Sequence, residues 1–421
     1  MFRILYSIFL YLLFPLVVIY FGVRAYKSVD YRSRWGERFG LTQWAKTDVV
    51  VHCVSMGETL AAVPLIKKLI KTYPEYKFTV TTTSPTGSSE VVKAFGTKVQ
   101  HCYLPLDFAY AVKRFLRQTK PQMLIIMETE LWPNLLYFAD KQQVKLVLAN
   151  ARLSAKSAKK YQSKSWLTRP MLKRLSAIAV QTQAEASRFS SLGVDPAVVH
   201  VCGSLKFDLT IDPQKLQQAQ ALRLQWQRQQ APIWVAGSVH PGEFDAILTA
   251  HKQLLAKYPQ ALLIMAPRHP EQFNLAAITI AQAGLQLARR SMNDNVVEQT
   301  QVLLGDTMGE LVMLYGAADQ AFVGGTLINN GGHNPLEPAA MGLPVTVGPN
   351  HWDFAEITAL LKQAGGLKVV ANADDLADTL LHFFEHQQDY QQAVLAARGV
   401  VEQNKGALEK QYALIAQLLT H

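Results

Sequence analysis

From residue 48 onward, short β-branched runs alternate with stretches of helical periodicity, and this alternation restricts the chain to few architectures. Strand-like runs fall at 48–55, 77–82, 99–103, 122–127, 145–149, 177–180 and 198–202. Between them the apolar residues recur at three- and four-residue spacing, as at 59–73 and 108–118. Strand, helix, strand in repetition is the pattern of βαβ units and a parallel sheet. The series closes in GSLKFDLTIDP (203–213) and, after a Gln-rich helix, restarts with strand-like runs at 233–236, 261–265, 285–288, 302–305, 320–323, 345–347 and 367–370. A chain of 421 residues exceeds what one core organises well. The expectation is two doubly wound halves, each binding ligands at the carboxyl edge of its strands.

The N-terminus is of a different kind. Residues 4–23 carry no charge, and about twenty apolar residues make roughly 30 Å of helix, enough for one bilayer crossing. No small-residue cleavage site follows; Arg24, Ala25, Tyr26 and Lys27 come instead, which favours a retained anchor over a signal peptide. Pro15, in mid-run, leaves open a kink or a seat in the membrane interface. Arg24, Lys27, Arg32, Arg34 and Arg38 follow the run, and only Arg3 precedes it, so the charge bias puts the bulk of the chain in the cytoplasm. The expected organisation is an anchor over 1–25, a first domain over 26–205 and a second over 206–421. With the first strand starting some 25 residues beyond the anchor, residues 1–23 are expected to be separable from the fold.

The net charge of +10 calls for an anionic partner without naming one. Residues 151–184 hold Arg152, Lys156, Lys159, Lys160, Lys164, Arg169, Lys173 and Arg174 with no Asp or Glu. Beside an N-terminal anchor, anionic headgroups or a phosphorylated lipid suit this stretch better than nucleic acid. The three cysteines, Cys53, Cys102 and Cys202, lie far apart in strand-like runs, with neither disulfide framework nor zinc spacing, as in a reducing compartment.

The chemistry-bearing stretches sit at strand ends. In VGGTLINNGGHNPLEPAAMGLPVTVGP (323–349), glycines permit close backbone approach, and Asn334 and Pro335 stand where a helix would start. Such a turn aims free N–H groups at an anion, and Glu337 could accept ribose hydroxyls. GDTMGEL (305–311) is a second strand-turn-helix element; either its amides meet a base or phosphate, or Asp306 or Thr307 only caps a helix with Glu310. Arg268, directly after a strand and Pro267, is placed to pair with phosphate. In the first half, Glu58 follows a strand and opens a helix; it is either a general base or a first-turn carboxylate favouring the helix dipole. Glu130, in METELWPN, and Arg152 are the acceptor-side candidates. No Asp-x-Asp pair or His/carboxylate metal spacing is present, so neither cofactor nor metal is expected, and the chemistry is read as metal-independent.

SMGET (55–59), ETELWPN (128–134), NARLS (150–154), GSLKFD (203–208), GSVHPGE (237–243), APRHPEQF (266–273), GDTMGEL (305–311) and GGHNPLEP (331–338) together resemble the 3-deoxy-D-manno-octulosonic acid (Kdo) transferases over essentially the whole chain. Gln272 departs from the family pattern, which commonly has Arg there. The resemblance implies the GT-B plan, two Rossmann-like domains facing a cleft. It implies inverting transfer of Kdo from CMP-Kdo to a hydroxyl of the lipid A precursor (lipid IVA) at the cytoplasmic face of the inner membrane. The general base then carries onto Glu58, and CMP contacts onto Pro267, Arg268, Met308, Gly309, Glu310, Asn334, Pro335, Leu336 and Glu337. Two other readings remain: a GT-B relative using a UDP-sugar, which CMP-against-UDP competition would separate, and a membrane-tethered protein binding anionic lipid or RNA, which would lack nucleotide affinity.

Overall fold

The computed structural model describes residues 2–209 and 211–420; Thr210, in the segment that closes the first strand series, lies outside them, as do Met1, at the head of the expected anchor, and His421. Among the described residues the chain forms two α/β units: Met1–Asp208 with Lys405–His421, and Leu209–Asn404. The first holds strands β1 (Val49–His52), β2 (Phe78–Thr82), β3 (Gln100–Tyr103), β4 (Met123–Met127), β5 (Lys145–Ala151), β6 (Ala177–Val180) and β7 (Val199–Val201). They pair in the order β3-β2-β1-β4-β5-β6-β7, parallel throughout. The second holds β8 (Ile233–Val239), β9 (Leu262–Pro267), β10 (Leu287–Arg289), β11 (Val302–Leu304), β12 (Gln320–Val323), β13 (Val345–Val347) and β14 (Leu367–Val369), in the order β10-β11-β9-β8-β12-β13-β14. The strand order reverses between β1 and β4 in one sheet and between β8 and β12 in the other, and ligands of such sheets bind at that point, beyond the carboxyl ends.

Every strand-like run of the sequence is a strand, with ends shifted by a few residues. The reason is burial on both faces. In β4 all five residues of MLIIM are buried; Leu124 and Ile126 belong to one core cluster, Met123, Ile125 and Met127 to the other. A strand covered by helices on both sides reads as a continuous apolar run, and each such side chain contributes about 1.5–3 kcal/mol by leaving water.

Three expectations are corrected. The expected second domain ran to the C-terminus, but the final helix, Ala407–Thr420, belongs to the first unit. Its Ala407, Ile415 and Leu419 join the core of Leu65, Leu69 and Ile125. Asp208 caps its start by accepting from the Gly406 and Leu408 N–H groups, both at 2.6 Å. Gln411, fully buried, accepts from the Asn150 N–H at 2.8 Å and donates to the Gly203 carbonyl at 3.1 Å.

The N-terminal run is not one helix. It forms Phe2–Leu12 and Phe14–Lys27, bent by 54°, with Pro15 in the first turn of the second, where the missing N–H and fixed φ suit a new start. Among the described residues no single helix is long and apolar enough to cross a membrane, although the bent pair meets that test by length and composition. Nor does the segment stand apart from the first unit. Arg3 Nη1 and Ser7 Oγ donate to Asn134 Oδ1 at 2.8 and 2.9 Å, Tyr11 and Phe14 pack on Phe108, and Phe21 lies among Trp35, Phe39 and Arg38.

The basic collar, third, is only partly a collar. Arg38 is 3% exposed, stacked 3.8 Å over the Tyr103 ring and donating to the Thr83 carbonyl; Arg34 pairs with Glu37. These two guanidiniums are engaged within the first unit.

Asp208→Ala removes the acceptor of two N–H groups and is expected to cost about 1–3 kcal/mol. Hydrogen exchange should quicken across Ala407–Thr420 before it quickens elsewhere in the first unit.

Candidate functional site

Beyond β1 the chain turns at Ser55 into the helix Met56–Thr72. Glu58, 7% exposed, folds back over that turn: its Oε2 accepts from the Val54 N–H at 2.7 Å and its Oε1 from the Ser55 hydroxyl at 3.0 Å. Beyond the neighbouring β4, Glu128 takes a left-handed φ of 54°, costly for a residue with a Cβ, while its N–H donates to the Ala149 carbonyl. Glu130 Oε2 accepts from Trp132 Nε1 at 3.1 Å, and the Thr129 hydroxyl donates to the Arg152 carbonyl, which joins the loops after β4 and β5. Three carboxylates therefore gather at the switch point. Burial, first, and then Glu128 and Glu130 push the Glu58 carboxyl up to about 7, against the pull of Val54 and Ser55. A carboxyl tuned near neutrality can hold or release a proton at working pH.

His52, which the sequence does not single out, lies fully buried below this cluster. Its Nδ1 meets Thr81 Oγ1 at 2.9 Å, its ring stands against Trp132, and burial pushes it down to about 3. It is a neutral packing element. The basic stretch forms two helices, Ala155–Ser163 and Ser165–Leu172, with Lys156, Lys159, Lys160 and Lys164 exposed, while Arg174 pairs with Asp140.

In the second unit the end of β9 and the loops after β9, β11 and β12 carry the expected donor residues. Pro267 is the last residue of β9. The Arg268 N–H donates to the Val239 carbonyl at 2.9 Å, next to a register shift in β8 at Ser238, whose φ is 56°. In GDTMGEL, Asp306 is structural: it accepts from the Ser291 N–H and hydroxyl at 2.8 and 2.6 Å and pairs with Arg289 at 2.8 Å. Glu310 is held by Arg290 Nε and Nη2 at 3.1 and 3.0 Å and by the Thr307 hydroxyl. Its carboxylate is spoken for, and what this turn presents outward is Met308, 59% exposed, with Gly309 at φ 83°.

The glycine-rich loop explains its composition at Gly331 and Gly332. Both have left-handed φ, and a Cβ would come within 2.5 Å of Asp353 Oδ2 at the first and 2.8 Å of Thr326 Cγ2 at the second. The helix behind it is short. It spans only Leu336–Ala340, stopped by Gly342 at φ 79°, and Asn334 Oδ1 already accepts from the Leu336 N–H at 3.1 Å. One turn of helix carries little macrodipole, so positive charge here has to come from side chains. Arg268 and Lys215 supply it. Burial raises the Glu337 carboxyl, and the Asn334 amide, Arg268 and Lys215 offset part of that rise. Lys215, whose Nζ also donates to the Gly309 carbonyl at 3.1 Å, belongs to the Gln-rich helix Pro213–Gln225, and no local pattern marks it.

The second residue missed is Glu243. Fully buried, it accepts from four backbone N–H groups: His240 at 3.0 Å and Gly325 at 2.8 Å on Oε2, Thr326 and Leu327 at 3.0 Å each on Oε1. One carboxylate thus fixes the loop after β8 against the loop after β12. Glu243→Gln would turn an NH₂ toward one pair of these donors; we expect a loss of about 2–4 kcal/mol from the second unit by denaturant unfolding and weaker nucleotide binding.

Residues 33–209 match the family model described as 3-deoxy-D-manno-octulosonic-acid transferase (kdotransferase). The 3-deoxy-D-manno-octulosonic acid transferase of Haemophilus influenzae is 40% identical over 415 residues, covering 97% of each chain, and that of Bordetella pertussis is 34% identical, covering 86% of this chain and 85% of its own. Among solved structures, UDP-GlcNAc 2-epimerase from Neisseria meningitidis, bound to UDP-GlcNAc, aligns with a TM-score of 0.58 at 15% identity, covering 89% of this chain and 99% of that one, a likeness of fold in keeping with two Rossmann-like domains of the GT-B type. The chain belongs to the Kdo transferase family, the glycosyltransferases that add Kdo in lipopolysaccharide biosynthesis.

Proposed function

We propose that this enzyme transfers Kdo with inversion from CMP-Kdo to a hydroxyl of the lipid A precursor, lipid IVA, with Glu58 as general base. The observation that carries the proposal is the buried Glu58 carboxyl, raised to about 7 at the carboxyl edge of β1. Ionised Glu58 takes the proton of the acceptor hydroxyl as its oxygen bonds to the anomeric carbon. On the opposite face the bond from that carbon to the phosphate oxygen breaks, and CMP leaves with the electron pair. A phosphate leaving group is weakly basic, so it calls for charge stabilisation and not for protonation. Arg268 takes that task, with Pro267, Met308, Gly309, Glu310, Asn334, Pro335, Leu336 and Glu337 forming the CMP site, Glu337 toward the ribose. Glu130 and Arg152 serve the acceptor, and neither metal nor cofactor is required.

The N-terminal helices seat the enzyme on the cytoplasmic face of the inner membrane. Ile4, Leu5, Ile8, Phe9, Leu16 and Ile19 are all more than half exposed and would dissolve in lipid. Arg3 and Phe21 both touch the first unit, which favours a pair lying in the interface over one crossing the bilayer. Lys156, Lys159, Lys160 and Lys164 would meet anionic headgroups at about 1 kcal/mol each.

One observation favours a purely structural Glu58: its bonds to Val54 and Ser55 cap its own helix. Glu58→Gln separates the two readings. A cap alone predicts near-normal turnover, whereas a base predicts a fall of about 10²–10⁴-fold. CMP affinity should stay unchanged, since every CMP residue lies in the second unit. In the wild type the base must be ionised, so kcat/KM should fall about tenfold per pH unit below about 7 and level off above it; the variant should lose that limb. Turnover above a tenth of wild type, with chemistry rate-limiting, would end the role of Glu58 as base. Mass spectrometry of the product from CMP-Kdo and tetraacylated lipid IVA tests the reaction itself.

A further inference from the structure

Kdo is an acidic sugar, with a carboxylate on its anomeric carbon. A CMP-Kdo donor therefore presents two anionic groups on either side of one atom, the phosphate and this carboxylate. Arg268 accounts for one of them. Around Arg268 the loops after β8, β9 and β12, three adjacent strands, bring three histidines together. His240 Nε2 stands 2.9 Å from His333 Nε2, with the two rings stacked at 5.2 Å, and the His240 and His269 rings are 5.7 Å apart. Asn330 Nδ2 donates to His240 Nε2 at 3.1 Å. None of these histidines has a place in the mechanism above.

Two ring nitrogens at hydrogen-bond distance share one proton, so one ring donates and the other accepts. His240 and His333 are half-buried and His269 is exposed. Burial and the neighbouring Arg268 and histidines hold the His333 ring down at about 3, and burial likewise lowers His240 despite Glu243. The pair is therefore uncharged when empty, and with His240 Nε2 accepting from Asn330 and His333 the N–H left to it is that of His240 Nδ1, beside a guanidinium. That combination suits a carboxylate, which accepts on two oxygens and strengthens each bond by its charge. Arg268 acts electrostatically on Glu337 as well as on His333, so it lies near both the ribose end of the site and the histidines. A sugar attached beyond the phosphate would reach them.

We infer that His240, His269 and His333 form the subsite for the C1 carboxylate of the donor sugar, with Arg268 on its phosphate side. The inference rests on CMP-Kdo being the donor. It makes the histidines the element that tells an acidic sugar from a neutral one.

The full-length enzyme is assayed with CMP as product inhibitor and with two donors, CMP-Kdo and its C1 carboxamide. For His333→Gln and His240→Gln the KM for CMP-Kdo should rise about tenfold or more, with CMP inhibition within twofold of wild type. The wild type should lose a similar factor on the carboxamide, and the variants should lose little further. His269→Gln, on an exposed side chain that holds no loop in place, should show a smaller change of the same kind. Parallel loss of CMP and CMP-Kdo affinity would mean the pair only fixes the loops and would overturn the subsite, as would an unchanged KM. A wild type that accepts UDP-sugars and ignores CMP-Kdo would instead overturn the donor reading, and the subsite with it.

Discussion

Parallel pairing is the constraint on which everything else in this protein rests. A parallel neighbour cannot be reached by a tight turn, so the chain must return over the sheet after each strand, and every carboxyl end arrives at the same edge. Where the crossovers change direction, between β1 and β4 and between β8 and β12, the departing loops part and leave room for a ligand. Glu58, Glu128 and Glu130 stand at one such point. His240, Arg268 and the glycine-rich loop stand at the other. Loops of little intrinsic order become chemistry because the sheet fixes their starting positions.

The same local design serves opposite ends in the two units. In each, the first strand runs into a polar turn and a helix, and a buried glutamate of that turn reaches back to the backbone. Glu243 accepts four N–H groups and spends all its capacity on holding two loops. Glu58 accepts one N–H and one hydroxyl, with two further carboxylates close by. Hydrogen bonds to the charged form favour ionisation, whereas burial and like charge oppose it. With fewer donors and more repulsion, Glu58 keeps its affinity for a proton.

The strands were legible because two-sided burial writes itself as β-branched runs, and the site loops were legible because strand ends, glycines and motif resemblance coincide in them. What remained hidden depends on distant partners. The amphipathic pattern of 407–420 says that one face is buried but not against which sheet; that is decided by Asp208, roughly two hundred residues earlier. Arg38 reads as a juxtamembrane charge until Tyr103 is seen beneath it. Lys215 sits in a polar helix like any other lysine, and Glu243 looks like an ordinary first-turn acid. The five-residue length of the helix after Pro335 is likewise a tertiary outcome, since the following Gly342 marks an end without saying how little precedes it.

The return of the final helix to the first unit also bears on how the protein is made. Leu209–Asn404 is one continuous stretch that can complete its sheet while still being synthesised, whereas the first unit is split by it. The face of the first sheet that receives Ala407, Ile415 and Leu419 stays uncovered until residues 407–420 have been made, so the domain begun earlier is the later one to close. During that interval the uncovered apolar face is the part of the nascent chain most exposed to aggregation.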